Sequence, residues 1–250
     1  MIFKKEVWIT PYECQRTLHI YVPDDAIDHE ERYPVLYMYD GHNLFDDKEA
    51  TYGKSWGLKD YLDFHSEKII VIGMECNHEG NNRLIEYCPY SFVDRQFGSI
   101  QGTGKQMMEW VVHELKPLID QELPTKTDRA NTWIAGSSMG GLMSLYTITH
   151  HNDTFSKAAC LSPFLYPIRN EMKKECERRL NPDTSIYLSW GSNETRSKRS
   201  MAYMSKTNLD MANLLYRQQI QLYLNLVVGG QHCEACWEKE IPIFMQFFKQ

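Results

Sequence analysis

No stretch of this chain approaches the roughly 20 consecutive apolar residues that a membrane-crossing helix requires, so a helical membrane protein is not expected. A long basic block is missing as well. With 27 basic against 33 acidic residues the net charge is −6, and a phosphate backbone would meet a mostly repulsive field, so nucleic acid is not an expected partner. Internal repeats and low-complexity segments are absent, which removes repeat arrays and disordered tracts from consideration. The opening residues, Met1-Ile2-Phe3-Lys4-Lys5-Glu6-Val7, run straight into strand-like sequence without an apolar core and small-residue cleavage site. Seven cysteines are an odd number spread over a long chain, unlike the even, dense pattern of a small disulfide-stapled secreted scaffold. A cytoplasmic location is therefore expected. Cys233 and Cys236 form a CxxC, but the pair lies near the C-terminus with only His232 beside it, whereas redox motifs sit early in a βαβ unit and zinc sites need a second ligand pair. They read as ordinary thiols, and no metal site is assigned.

What is present is ordinary globular composition, 42% apolar and 24% charged, on 250 residues, enough to bury one large core. A single domain over residues 1–250 is expected. Short apolar runs rich in β-branched and aromatic residues recur at 6–10, 16–22, 34–39, 68–74, 132–135, 157–161, 185–190 and 221–228. Several are continuous rather than alternating, as in strands buried on both faces. Helical patterns lie between most of the later ones. Over 105–121, Met108, Val111, Val112, Leu115, Leu118 and Ile119 follow the spacing of one buried helix face, and further helices are expected at 57–64, 140–150, 170–180, 200–218 and 240–249. Strands alternating with helices imply parallel pairing through right-handed crossovers, hence a three-layer αβα sandwich with a mostly parallel central sheet. The first two strands lack an intervening helix and are expected as an antiparallel hairpin at one edge. The least regular segments, 76–103 and 191–199, follow strands on the side where open α/β sheets place ligands.

After the strand residues Thr132-Trp133-Ile134-Ala135 comes Gly136-Ser137-Ser138-Met139-Gly140-Gly141, then the apolar Leu142-Met143-Ser144-Leu145-Tyr146. This is G-x-S-x-G between a strand and a helix, a turn that lifts the serine above the sheet edge and aims a positive helix N-terminus at a developing oxyanion. Ser138 is the candidate nucleophile. In that arrangement the order along the chain is serine, carboxylate, histidine, so the partners lie downstream. His150 and His151 sit at the far end of the following helix, which leaves His232, after the last apolar strand and Gly229-Gly230-Gln231. The orienting carboxylate is expected after the preceding strand, where the chain reads Gly191-Ser192-Asn193-Glu194. Asp210 competes with Glu194 but falls within an expected helix, and Asp183 precedes the strand. For the oxyanion, the amide of Met139 and that of His42, in the Asp40-Gly41-His42-Asn43 loop, are the expected donors. The His42 side chain is expected to be solvated.

Together these segments resemble the putative-esterase family of α/β hydrolases, which includes S-formylglutathione hydrolase (esterase D), feruloyl and acetyl xylan esterases, siderophore esterases and the antigen 85 acyltransferases. The resemblance covers nearly the whole chain. It is carried by Tyr33 to Gly41, Arg83-Leu84-Ile85-Glu86-Tyr87, Glu114 to Asp120, Ala135 to Gly141, Leu161-Ser162-Pro163, Gly191 to Glu194, and Gly229 to His232 with Trp237. It implies an α/β-hydrolase fold and a serine carboxylic ester hydrolase that uses Ser138, Glu194 and His232, forms an acyl-enzyme, and needs no metal or organic cofactor. A small-molecule ester is the expected substrate. Arg83, Glu86, Tyr87 and Trp190, with Tyr90 and Phe92, are candidates for contacting it. Acyl transfer to an alcohol other than water on the same triad, and a non-catalytic binding or scaffolding role of the same fold, are the rival readings.

Overall fold

The computed structural model describes residues 1–26 and 31–250. Its centre is an eight-stranded sheet built from β1 (Ile2–Ile9), β2 (Cys14–Tyr21), β3 (Val35–Tyr39), β4 (Ile70–Met74), β7 (Thr132–Ser137), β8 (Lys157–Leu161), β9 (Ser185–Gly191) and β10 (Gln221–Val227), in the order β1-β2-β4-β3-β7-β8-β9-β10. The first two strands pair antiparallel at one edge, β2 also meets β4 antiparallel, and the remaining neighbours are parallel. β5 (Phe92–Asp94) and β6 (Gly98–Ile100) form a separate two-stranded ribbon within the irregular segment after β4. Three-residue strands are too short to show a period in sequence, so the ribbon is found only in the structure.

Burial explains the layering. All five residues of β3 are buried, Val35, Tyr37 and Tyr39 into one apolar cluster and Leu36 and Met38 into the other, as a continuous apolar run requires of a strand covered on both faces. Over the first face pack the helices Met139–His150, Arg169–Cys176 and Lys198–Tyr216 and the helical run from Gly104 to Glu122. Over the second pack Leu58–Phe64 and Ile241–Phe248, through Leu58, Leu62, Ile241 and Phe244. This is the three-layer αβα sandwich with a mostly parallel sheet. Among the described residues, no helix is long and apolar enough to cross a membrane.

Two local departures from the sequence reading have physical causes. The helix expected at 105–121 widens at Val111–Leu115 into a π turn, where the Lys116 amide donates to the Val111 carbonyl five residues back. Pro117 follows at once. It has no amide to donate, and its ring would strike the carbonyl four residues back in a regular helix; the wider turn relieves this. The last strand, apolar in sequence, is an edge strand, and Tyr223, Leu224 and Leu226 stay exposed; among the described residues, no strand follows β10 in the sheet.

The crossing that positions the site lies where β7 turns into the helix Met139–His150. Ser138 stands between them at φ 57° and ψ −116°, a conformation that costs a residue with a side chain about 1–3 kcal/mol. Its amide donates to the Leu161 carbonyl at 3.0 Å, and its carbonyl accepts from Leu142 and Phe164 at 3.0 Å each, so the strained residue is tied on both sides. The turn closes this tightly because Gly136 and Gly140 touch: a Cβ on Gly136 would lie 2.7 Å from the Gly140 carbonyl carbon, and one on Gly140 would lie 2.8 Å from the Tyr39 Cβ. Gly136→Ala should therefore lower stability by about 1–3 kcal/mol, the cost of overpacking a closed site. Denaturant unfolding measures it, and a change below a few tenths would show that the backbone can yield.

Candidate active site

A cavity of about 370 Å³ opens beside the Ser138 turn, and its wall includes Ser138, His232, Asp40, His42, Arg83 and Trp237. Ser138, Asp40, His42 and His232 reach it from the ends of strands, Arg83 and Trp237 from the short helices Asn82–Glu86 and Glu234–Trp237. Ser138 follows β7, Asp40 and His42 follow β3, and His232 follows β10 by way of Gly229-Gly230-Gln231. Glu194 follows β9 and is buried beneath His232, its side chain only 1% exposed.

His232 donates from Nδ1 to Glu194 Oε2 at 2.8 Å. The other carboxylate oxygen, Oε1, accepts from Ser162 Oγ at 2.7 Å and from the Gly191 amide. Ser162 Oγ in turn accepts from the Trp237 indole at 2.9 Å, and the same indole packs edge-on against the His232 ring at 5.0 Å. The carboxylate is thus fixed by two donors besides the imidazole, and the imidazole is held by the carboxylate and an aromatic wall. Since a carboxylate only accepts, the contact leaves the proton on Nδ1 and turns Nε2 away from Glu194. Among the described residues, no hydrogen bond yet joins Nε2 to Ser138 Oγ; both groups face the same cavity. Asp210, the competing carboxylate, lies in the helix Lys198–Tyr216 and pairs with Lys206 and Lys173 at 2.9 Å each.

The two expected oxyanion donors lie at the turns that follow β3 and β7. Met139 is the first residue of its helix, where an amide has no acceptor within the helix. Around His42, the turn bonds run from Asn43 to Asp40 and from Leu44 to Gly41, on either side of the His42 amide. The His42 side chain corrects an expectation. It is buried rather than solvated, with Nε2 2.9 Å from Thr51 Oγ1 and the ring 4.4 Å from that of His78. Burial pushes its pKa down to about 4 against the opposing pull of Asp40, so the ring is neutral at pH 7.

Of the residues expected to contact a substrate, Arg83 alone lines this cavity among Arg83, Glu86, Tyr87 and Trp190. Its guanidinium is committed to Asp40 by two bonds of 2.7 Å. Burial raises the Asp40 carboxyl, but the Arg83 charge overrides it and holds the group below its ordinary range. Glu86 is buried in a two-bond pair with Arg16 at 2.9 and 2.7 Å and also accepts from the Asn77 amide. The Tyr87 hydroxyl bonds the Met74 carbonyl and the Asp40 amide, and the Trp190 indole donates to Ser205. Tyr90 meets Glu175, and Phe92 belongs to the β5–β6 ribbon. These side chains are taken up by the scaffold because each has a partner or a core to fill. Sequence reasoning gave no role to Ser162 or Trp237. The 32 residues from Ser162 to Glu194 and 75 from Ser162 to Trp237 hide the brace they form.

The protein-family model described as "Putative esterase" matches residues 10–245. A protein of Bacillus subtilis (strain 168), "Uncharacterized protein YbbA", is 25% identical over 225 residues, which cover 87% of this chain and 86% of that one. Among solved structures, an IroE-like serine hydrolase from Shewanella oneidensis superposes with a TM-score of 0.80 at 19% identity, covering all of this chain and 80% of that one. A ferulic acid esterase superposes with a TM-score of 0.74 at 15% identity, covering 99% and 96%. The likeness to these two structures establishes a shared fold.

The placement of Glu86 has a measurable consequence. Glu86→Gln leaves the Arg16 charge buried without its partner, and should cost about 3–5 kcal/mol of stability. Chemical unfolding checks this, and a variant as stable as the parent but with a raised KM would return Glu86 to the substrate.

Proposed function

Because the chain belongs to the putative-esterase family and is a carboxylic ester hydrolase, we propose that it cleaves small acyl esters with Ser138 as nucleophile, His232 as base and Glu194 as the orienting carboxylate. The observation that carries the reading is the 2.8 Å bond from His232 Nδ1 to a buried carboxylate, on the wall of the cavity that Ser138 also lines. A substrate carbonyl entering the cavity comes within reach of the serine. His232 Nε2 takes the Ser138 proton, Oγ adds to the carbonyl carbon, and the oxyanion is met by the amides of Met139 and His42. Glu194 stabilises the imidazolium without becoming protonated. His232 then returns the proton to the leaving alcohol oxygen, the acyl group remains on Ser138, and water repeats the sequence to release the acid.

The cavity favours a small and uncharged ester over a charged one. Asp40 and Arg83 neutralise each other in its wall, and His42 is neutral.

The test is kinetic. Ser138→Ala should reduce kcat/KM for a chromogenic acyl ester by several orders of magnitude while unfolding at the same denaturant concentration, since only binding and the oxyanion donors remain. Glu194→Gln should cost about 10⁴-fold by removing the charge that stabilises the imidazolium, and Asp210→Asn should change the rate by less than about twofold. A Ser138→Ala loss of only a few-fold would refute the nucleophile. Full activity in Glu194→Gln would refute the acid.

A further inference from the structure

On the wall of the same cavity, opposite in chemistry to the triad, stand three side chains the reaction does not use. Among the described residues, His42, Cys76 and His78 form a cluster in which one ligand atom from each lies within 4.8 Å of the others. The details are those of a prepared site. His42 Nδ1 is buried without a hydrogen-bond partner, while its Nε2 is engaged by Thr51 Oγ1 at 2.9 Å. When Nε2–H donates to Thr51, Nδ1 presents a lone pair. His78 donates from Nε2 to Glu75 Oε1 at 2.9 Å, and its Nδ1 stands 3.9 Å from Cys76 Sγ. A carboxylate or hydroxyl on the far nitrogen of a histidine is the arrangement that orients metal-binding imidazoles and raises their basicity.

We propose that His42, Cys76 and His78 bind a soft divalent cation, with zinc as the reference ion, and that its occupancy shuts off the hydrolase. Two imidazole nitrogens and one thiolate are donors suited to zinc and unsuited to calcium or magnesium. With Zn–S of about 2.3 Å and Zn–N of about 2.0–2.1 Å, tetrahedral ligands stand roughly 3.3–3.6 Å apart, so a separation of 4.8 Å, the upper bound in the cluster, needs to close by roughly 1.2–1.5 Å. The exposed His78 can supply that movement by a small rotation, because it sits on the irregular segment after β4. Coordination replaces the Cys76 S–H bond by an S–metal bond, and the proton leaves to solvent. The fourth position faces the cavity and holds water.

Inhibition follows from the shared wall. Ser138, His42, Cys76 and His78 all line the same 370 Å³ space, so an ion with its water takes the room an acyl group needs. It would also draw on the residue whose amide is proposed for the oxyanion. The inhibitory half of the proposal rests on the esterase reading; the binding half does not.

The experiment uses the full chain freed of metal. Titration with Co²⁺ should saturate at one equivalent and give tetrahedral visible bands with a thiolate-to-cobalt charge-transfer band, and Zn²⁺ should displace the cobalt. Cys76→Ser should abolish the charge-transfer band. His78→Ala, at an exposed position where folding is not at risk, should weaken binding at least about 10-fold and shift the zinc concentration that inhibits ester turnover by the same factor. Paired substitution of Cys233→Ser and Cys236→Ser should change neither. Chelator should restore the turnover of the zinc-loaded protein to that of the metal-free protein. Absence of a cobalt band, a band that survives both Cys76→Ser and His78→Ala, or one lost with Cys233 and Cys236 would overturn the site. Zinc bound at this site with turnover unchanged would overturn the inhibitory role. A protein inactive on every ester would instead fail the esterase reading, and the cobalt spectrum would still decide the binding.

Discussion

The close contact of Gly136 with Gly140 is the constraint on which the site depends. With no Cβ at either position, β7 can turn into its helix within a few residues, and Ser138 is forced into a conformation that a less crowded turn would relax. The three hydrogen bonds around it tie that turn to Leu161 at the end of β8 and to Phe164 beyond it. Ser162, one residue past β8, then donates to Glu194, and Glu194 accepts from His232. A chain of short contacts thus runs from the strained serine to the histidine, and four different strand ends have to be in register before it closes. The strain is held by the sheet rather than by the residues that carry the chemistry.

Charge in this region is compensated within the scaffold. Arg83 meets Asp40 and Arg16 meets Glu86, each through two bonds to a buried carboxylate. Pairing a buried charge adds little net stability over an apolar filling, but losing one partner is costly. The segment after β4, short of regular structure, is fastened by these ion pairs as well as by the packing of Tyr87, Cys88, Phe92 and Ile100 into the core. Arg83 and Glu86 do this from one short helix, Asn82–Glu86, and so connect the cavity wall to β3 and β2.

Much of this was legible beforehand, and the limits are physical. Eight strands announced themselves because continuous apolar runs such as Val35–Tyr39 have few other uses, and the order of Ser138, Glu194 and His232 along the chain matched the order in which strand ends reach one edge. Glu194 and Asp210 differ in context already in the sequence, one after a strand and the other in a helix, and the fold sets Asp210 against Lys206 and Lys173. What a sequence does not carry is pairing at a distance. Glu86 and Tyr87 looked available for a substrate until the structure showed Arg16 and the Met74 carbonyl taking them. The buried ring of His42 was unreadable for the same reason, since its burial depends on Thr51 and His78, which are brought to it by the fold.

The central claim is that Ser138 is chemically distinct from the other serines of the chain because of where these contacts put it. Treatment with a fluorophosphonate, which phosphonylates an activated serine with loss of fluoride, followed by peptide mass mapping, tests it most directly. The account predicts one adduct per chain, on Ser138, formed in the native protein and not after unfolding. An adduct on Ser137, Ser162 or another serine, or labelling that persists in the unfolded chain, would contradict it.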